Sequence, residues 1–275
     1  MSVQTLGGKE SVSGELDSLR QQVDTEIAQT HAEHEALQSF RDRLTEIFEL
    51  APQATIHSSI ATDSPEEQCL RSRVAEASSA ADTIAAIRRA YQETVMGLSF
   101  YENEYGDSYG ESLRAEFGEE IAIALTQPAC FTSAVRASLV EQIEIALEER
   151  ARLLGICYEE QESLSMVREE LVPVATECES IASETFADQP YTRLQYYRDR
   201  CLRLEERCDT IVRRRQQSLH RRREEYEFGG EIPTVRSYLY RDSGAAHPVL
   251  ALCSSVANQV AVTRDGVEQA IAYCE

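Results

Sequence analysis

The chain has 275 residues, of which 27 are basic and 48 are acidic, and its net charge is −21. Its apolar stretches are far shorter than the ~18–20 residues of a membrane span, and Met1 is not followed by the basic and apolar regions of a signal peptide. Lys9 is the only lysine. So acidic a chain repels itself in dilute buffer, and molar salt would screen that repulsion. An acidic, lysine-poor composition is typical of a halophile's protein, and we expect this protein to be cytoplasmic.

The N-terminal part of the chain predicts a tail followed by a helical unit. Residues 1–14 contain three glycines and are expected to form a flexible tail. A helix is predicted from Glu15 to Leu50, with Ser13 as its N-cap. Ser64, Pro65 and Glu67 have the pattern of a capping box that opens the next helix.

A polar connection and two short helices follow that second helix. The connection covers residues 101–110, and the short helices cover residues 111–117 and 119–125. Gly118 suits a helix C-terminus, because glycine adopts the left-handed conformation without steric cost. These elements complete an N-terminal helical unit at residues 15–126.

The longest predicted element runs from about Pro128 to Phe186, and its apolar stripe alternates spacings of four and three residues. A heptad pattern of this length favours coiled-coil packing, and Pro173 inside it is expected to bend the helix. A short turn around Asp188 leads into a second amphipathic helix that ends near Tyr226. Helices joined by so short a turn are predicted to lie antiparallel, so residues 127–228 form a coiled-coil hairpin.

The C-terminal segment, residues 229–275, is predicted to pack on the N-terminal helices. Gly229 and Gly230 end the hairpin, and a last helix begins at Pro248. No segment has the period of a strand. The fold class predicted from these patterns is all-α: a helical bundle with a long antiparallel coiled-coil hairpin.

Neither the cysteines nor the histidines predict a metal or a cofactor. The eight cysteines form no C-x-x-C pair, and most lie on the apolar stripes, where a free thiol behaves as a small hydrophobe. His31 and His34 share a helix face, but a metal site needs further ligands that the sequence does not place nearby. We interpret that face as solvated.

An arginine cluster in the second hairpin helix is the strongest local charge feature. One interpretation is a stripe that contacts phosphate, nucleic acid or a partner. The other is internal: a hairpin folded about Asp188 places Arg214 near Glu162, so that the cluster pairs with acidic residues of its partner helix. The cluster comprises Arg213, Arg214, Arg215, Arg221, Arg222 and Arg223.

Two patterns fall in the polar connection. Residues 106–110 match the G-x-S-x-G motif of hydrolases, but that motif needs a strand before Ser108, and none is predicted. An ordinary loop between helices is therefore favoured. Tyr101, Tyr105 and Tyr109 form either an aromatic patch for a protein partner or an anchor that packs the loop onto the bundle.

Six short segments of the chain carry a family resemblance: Tyr91–Met96, Tyr101–Gly106, Ala115–Gly118, Leu204–Asp209, Tyr238–Tyr240 and Pro248–Leu250. They resemble a family of uncharacterised helical proteins from halophilic archaea. The resemblance spans about residues 15–273 and implies an all-helical cytoplasmic protein, but no activity and no catalytic residues. Phe100 stands where the resemblance leads us to expect a histidine.

Heptad patterns without the residues of a catalytic site favour a non-enzymatic helical scaffold or protein-interaction protein. Its partner is expected to be another protein or a second copy of the chain. A DNA-associated regulator that uses the arginine cluster is the alternative, and a hydrolase at Ser108 is a weaker one. We predict no cofactor, no metal and no membrane association.

Overall fold

The computed structural model describes residues 9–50, 65–127, 130–225, 238–240, 243, 245 and 247–274, with the backbone alone for residues 9, 65–79 and 221–225. All regular elements of these residues are helical, which confirms the predicted all-α bundle. Several predictions fall outside the described part: the tail before Lys9, the cap at Ser64, the side chain of Cys69, the helix start at Pro128 and the break at Gly229.

The regular elements of the described residues are eight α-helices and one 3-10 turn. The 3-10 turn is Phe186–Asp188. The helices are α1 (Lys9–Leu50), α2 (Pro65–Thr94), α3 (Tyr101–Glu104), α4 (Tyr109–Phe117), α5 (Glu119–Thr126), α6 (Ser133–Ala182), α7 (Tyr191–Glu225) and α8 (Pro248–Tyr273). No helix among them is long and apolar enough to span a membrane.

Helix α1 begins six residues earlier than the sequence pattern suggested, because its apolar stripe begins earlier. Val12 is fully buried and precedes Leu16 and Leu19 at spacings of four and three residues. Gly14 lies inside the helix, where a glycine costs about 1 kcal/mol relative to alanine. The buried stripe outweighs that cost.

The chain divides into two compact units. The hairpin unit comprises residues 1–27 and 156–275, and the central unit comprises residues 28–155. The division that the sequence pattern predicts, at residues 14, 126 and 228, stays a prediction.

In the hairpin unit, α6 and α7 run antiparallel on either side of the 3-10 turn. Arg200 donates to Glu177 at 2.8 Å between Nε and Oε1, and further along α7 Arg215 contacts Glu160. The number of the α6 partner falls as the α7 number rises, as an antiparallel pair requires. Helix α6 continues through Pro173 to Ala182. The bend at Pro173 and the coiled-coil supertwist stay predictions.

Helix α8 contacts both helices of the hairpin. Arg264 of α8 donates to Glu205 of α7 at 2.8 Å, and the side chains of Cys178 and Thr263 approach to 3.4 Å between Sγ and Oγ1. The start of α1 contacts α6, since Arg168 donates to Asp17 at 3.0 Å. The expected packing of the C-terminal segment on the N-terminal helices stays a prediction.

The central unit is built around an aromatic cluster. The ring of Phe40 contacts Tyr91 edge-on, with 5.1 Å between the ring centroids, and lies 6.2 Å from that of Phe117. Ser108 caps α4 in a capping box with Glu111. Gly118 joins α4 to α5 with φ of 87°, a conformation that glycine adopts without strain.

Candidate functional site

A buried group of polar side chains joins three segments of the hairpin unit. We call Glu160, Ser163, Arg215 and Tyr240 the ion centre. Arg215 donates from Nη2 to Glu160 Oε1 at 2.5 Å, and from Nη1 to Glu160 Oε2 at 3.1 Å and Ser163 Oγ at 2.7 Å. The Tyr240 hydroxyl donates to Glu160 Oε1 at 2.7 Å. The ion centre therefore connects α6, α7 and the segment before α8.

The carboxylate of Glu160 favours the charged form of the buried Arg215 guanidinium. Glu160 has no exposed surface, and Arg215 exposes 4%. Burial acts to lower the pKa of Arg215, but the charge and the hydrogen bonds of Glu160 outweigh it, so the pKa is raised. An ion pair at such depth gains little net stability but tolerates few alternative pairings, so it can fix the register of the helices.

The other members of the arginine cluster lie in different environments. Arg214 pairs with Glu170 of α6. Arg213 is exposed. The side chains of Arg221, Arg222 and Arg223 lie outside the described residues. Within the described part, Arg213 and Arg214 are the exposed members of the cluster, whereas Arg215 is buried.

The composition of α7 explains why its arginines pair inside the unit. Helix α7 contains eleven arginines and six carboxylates, whereas α6 contains four arginines and eleven carboxylates. Besides the ion centre, Arg200 and Arg214 pair with α6, and Arg198 donates to Glu268 of α8 at 3.1 Å. The positive charge of α7 thus complements its neighbours.

A second polar network lies in the central unit. Arg150 donates to Glu116 at 2.7 Å between Nη2 and Oε2, and Tyr105 donates to Glu33 Oε1 at 2.6 Å. Arg150 Nε lies 3.4 Å from Glu33 Oε2, which joins the two pairs. Burial acts to lower the pKa of Arg150, but Glu116 and Glu33 raise it overall. The network ties the connection before α4 to α1 and α6.

The three tyrosines of the predicted patch differ in how far they are exposed. Tyr101 and Tyr109 are each 6% exposed, whereas Tyr105 is 50% exposed. Burial raises the pKa of Tyr109 to about 12. A partner contact at this patch would therefore be made mainly by Tyr105.

Ser108 is placed as a helix cap. Its Oγ lies 2.6 Å from Glu111 Oε2, and helices flank the loop on both sides. The described residues contain no strand beneath it, which the hydrolase motif requires.

His31 is exposed, with its Nδ1 3.5 Å from Glu35. In the described part of the chain, no three His, Cys, Asp or Glu side chains group as a metal would need.

The ion centre borders a small cleft. The cleft has essentially no volume that a water molecule could occupy, and it is lined partly by Arg215, Tyr240 and His247. Pockets for small ligands usually measure about 300–1,000 Å³. The geometry of this region therefore suits the joining of helices better than the binding of a substrate.

The internal interpretation of the arginine cluster placed it opposite acidic residues of α6, but it did not identify Glu160 as the buried partner of Arg215, although one signal was present. Glu160 interrupts the apolar stripe of α6 at a heptad position, as Arg150 does. A charged residue in a core position needs a buried partner. The sequence gives no comparable signal for Tyr240, because a tyrosine in the segment between two helices fits many environments.

Comparison with known proteins gives a family without an assigned activity. The protein-family model described as "Domain of unknown function (DUF7260)" matches residues 14–264. No curated protein and no solved structure matches the chain. The matched range includes Glu160, Arg215 and Tyr240, so the ion centre lies within the family domain.

Proposed function

We propose that this chain, which belongs to the family named for the domain of unknown function DUF7260, is a non-enzymatic helical scaffold that associates with a second copy of itself. The ion centre is the observation that carries this proposal. A buried ion pair between α6 and α7, with the Tyr240 hydrogen bond that adds a third segment, makes a rigid framework. Rigid helices present their outer surfaces to partners in a fixed arrangement.

The acidic composition of the chain indicates the solvent in which this scaffold works. With 48 acidic and 27 basic residues, two copies repel each other strongly in dilute buffer. At 1 M salt the screening length falls to about 3 Å, so the repulsion acts only at contact. We infer that the protein works in the salt-rich cytoplasm of a halophile.

Static light scattering tests self-association directly. The wild type is measured over a range of protein concentrations in 0.2 M and 2 M KCl. We expect a mass above the 30.9 kDa of one chain in 2 M KCl, and a lower mass in 0.2 M KCl. A mass of one chain at every salt and protein concentration would contradict the proposal.

Regulation through DNA is the alternative, and it is favoured by the exposure of Arg213 near three further arginines. The test replaces Arg213, Arg221, Arg222 and Arg223 with glutamine and keeps Arg215, whose loss would disturb the ion centre. DNA binding of the wild type in 0.2 M KCl that is lost in this variant would support the alternative. Absence of binding, or equal binding by both proteins, would reject it.

A further inference from the structure

One stretch of the chain lacks charged side chains almost entirely. Residues 243–263 form its longest run without Asp, Glu, Lys or Arg, and the next longest covers residues 121–135. Charged residues make up 27% of the chain, and no other run without them is longer than 15 residues. It includes the first four turns of α8, from Pro248 to Thr263.

The inner face of α8 explains only half of this pattern. That face packs into the hairpin unit, where apolar side chains are expected. Its buried residues are Val249, Leu252, Cys253, Val256, Val260, Thr263 and Val267. Four residues between Pro248 and Thr263 are exposed, on a face where the long helices of this chain otherwise carry charges.

These four exposed residues form an uncharged stripe. Ala251, Ser254, Asn258 and Val262 are exposed, and Val262 exposes 57% of its surface. Their spacings of three, four and four residues place them on one face of the helix. We call these four residues the outer stripe of α8. By contrast, the exposed face of α6 in the same unit carries Glu162 and Glu169.

Charge determines which occupant suits this stripe. A second copy also carries a net charge of −21, so two copies repel wherever carboxylates meet. An uncharged stripe lets them approach without the desolvation of charges, which costs several kcal/mol per buried ion. A cationic partner would gain nothing from it, because it would bind better to the acidic faces.

The side chains of the stripe also suit helix pairing. Short side chains allow two helix axes to approach to about 8–10 Å. In a two-fold arrangement the same residues meet from both copies. Asn258 lies near the middle of the stripe, where its amide can hydrogen-bond to its counterpart, as single buried asparagines do when they fix the register of paired helices.

We propose that the outer stripe of α8 is the surface through which two copies of this chain associate, with α8 packed against α8 about a two-fold axis. This inference rests on the self-association proposed above and names its surface.

The test introduces a charge into the stripe and a matched charge elsewhere. Asn258→Glu places two carboxylates close together in the dimer, and Gln217→Glu adds the same charge on an exposed position of α7. All proteins are measured by sedimentation equilibrium in 2 M KCl, and circular dichroism verifies their helix content. We expect a dimer for the wild type and for Gln217→Glu, and a dimer dissociation constant raised at least tenfold for Asn258→Glu.

The other results separate the two proposals. If the wild type dimerises and Asn258→Glu dimerises equally well, the surface is wrong and the scaffold proposal stands. If both variants dissociate alike, added charge rather than the stripe is responsible, and the surface is again wrong. A wild type that is monomeric throughout contradicts both proposals, and its binding of a different protein through Asn258 would assign the stripe to another occupant.

Discussion

Arg215 and Glu160 depend on each other, because each is a buried charge with the other as its counter-ion. The variant Arg215→Met keeps a long apolar side chain but leaves the carboxylate of Glu160 without its ion pair. Breaking a buried pair in this way costs about 3–5 kcal/mol. We expect the free energy of unfolding, measured with urea in 2 M KCl, to fall by this amount.

Two further variants identify the cause of that loss. Arg213→Met changes an exposed arginine two residues away and should alter stability by no more than about 0.5 kcal/mol. The double variant Arg215→Met/Glu160→Leu removes both charges and should recover most of the loss. Equal destabilisation by Arg213→Met and Arg215→Met would show that the ion centre has no special role.

At the scale of single residues, the sequence predicted backbone neighbours better than side-chain partners. Folding about Asp188 places Arg215 opposite residue 161, and its partner is Glu160. The same rule places Arg214 opposite Glu162, yet Arg214 pairs with Glu170. Helical side chains lean toward the N-terminus of their own helix. In α7 that direction leads to the turn and therefore to higher residue numbers in α6, which accounts for the partner of Arg214 but not for that of the buried Arg215.

At the scale of elements, the predictions that rested on long apolar stripes were the most accurate. The helices of the hairpin and its antiparallel direction followed from heptad spacing and a short turn. The start of α1 was wrong, because Gly14 suggested a break although Val12 is buried in the helix before it. A glycine signals only a local preference, which tertiary packing overrides.

We expect alanine substitutions at two glycines to change the free energy of unfolding in opposite directions. Gly155 lies inside α6, and a Cβ atom there would meet nothing within 4 Å. Gly155→Ala should therefore raise the free energy of unfolding by about 1 kcal/mol, the difference in helix propensity. At Gly97, a Cβ atom would lie 2.6 Å from the backbone oxygen of Glu93. Gly97→Ala should be destabilising, because the backbone after α2 must shift.

Urea unfolding of the two glycine variants beside the wild type measures both effects. Gly110→Ala is a suitable third variant, since a Cβ atom there also meets nothing within 4 Å. Stabilisation by Gly97→Ala, or a loss of stability in Gly155→Ala, would contradict the contacts described for these positions.

At the scale of the whole molecule, the net charge of −21 predicts a strong effect of salt on stability. Repulsion between carboxylates destabilises the compact state, and screening relieves it. We expect the urea midpoint to rise between 0.1 M and 2 M KCl, most steeply below about 0.5 M, where the screening length changes most. Sucrose, which stabilises proteins without screening charge, is the control. A midpoint that falls with KCl would show that the surface ion pairs outweigh the repulsion.

The buried thiols predict a loss of stability at alkaline pH. Burial raises the pKa of Cys157 to about 12 and those of Cys201, Cys208 and Cys253 to about 11, from 9.0. Because the folded state holds these protons more tightly, their contribution is complete below pH 9.0 and is lost as the pH rises through about 11. Between pH 8 and 10.5 we expect a loss of about 1–2 kcal/mol per thiol.

Urea unfolding as a function of pH measures this loss. Cys253→Ala should show a shallower decline above pH 9 than the wild type, even if its stability at pH 8 is lower because of the missing volume. Cys130→Ala, at an exposed position, should keep the wild-type slope. Parallel curves for all three proteins would show that the thiols do not determine the alkaline limit.

The two compact units carry different natural probes. The described buried cysteines, from Cys157 to Cys253, all belong to the hairpin unit, whereas the rings around Tyr91 belong to the central unit. Pulsed alkylation would therefore follow the opening of the hairpin unit alone. The near-ultraviolet dichroism of tyrosine would follow both units, since Tyr197 and Tyr240 of the hairpin unit are buried as well. Since the chain lacks tryptophan, no stronger chromophore obscures the second signal. One unlabelled sample can thus reveal whether the two units melt together or in sequence.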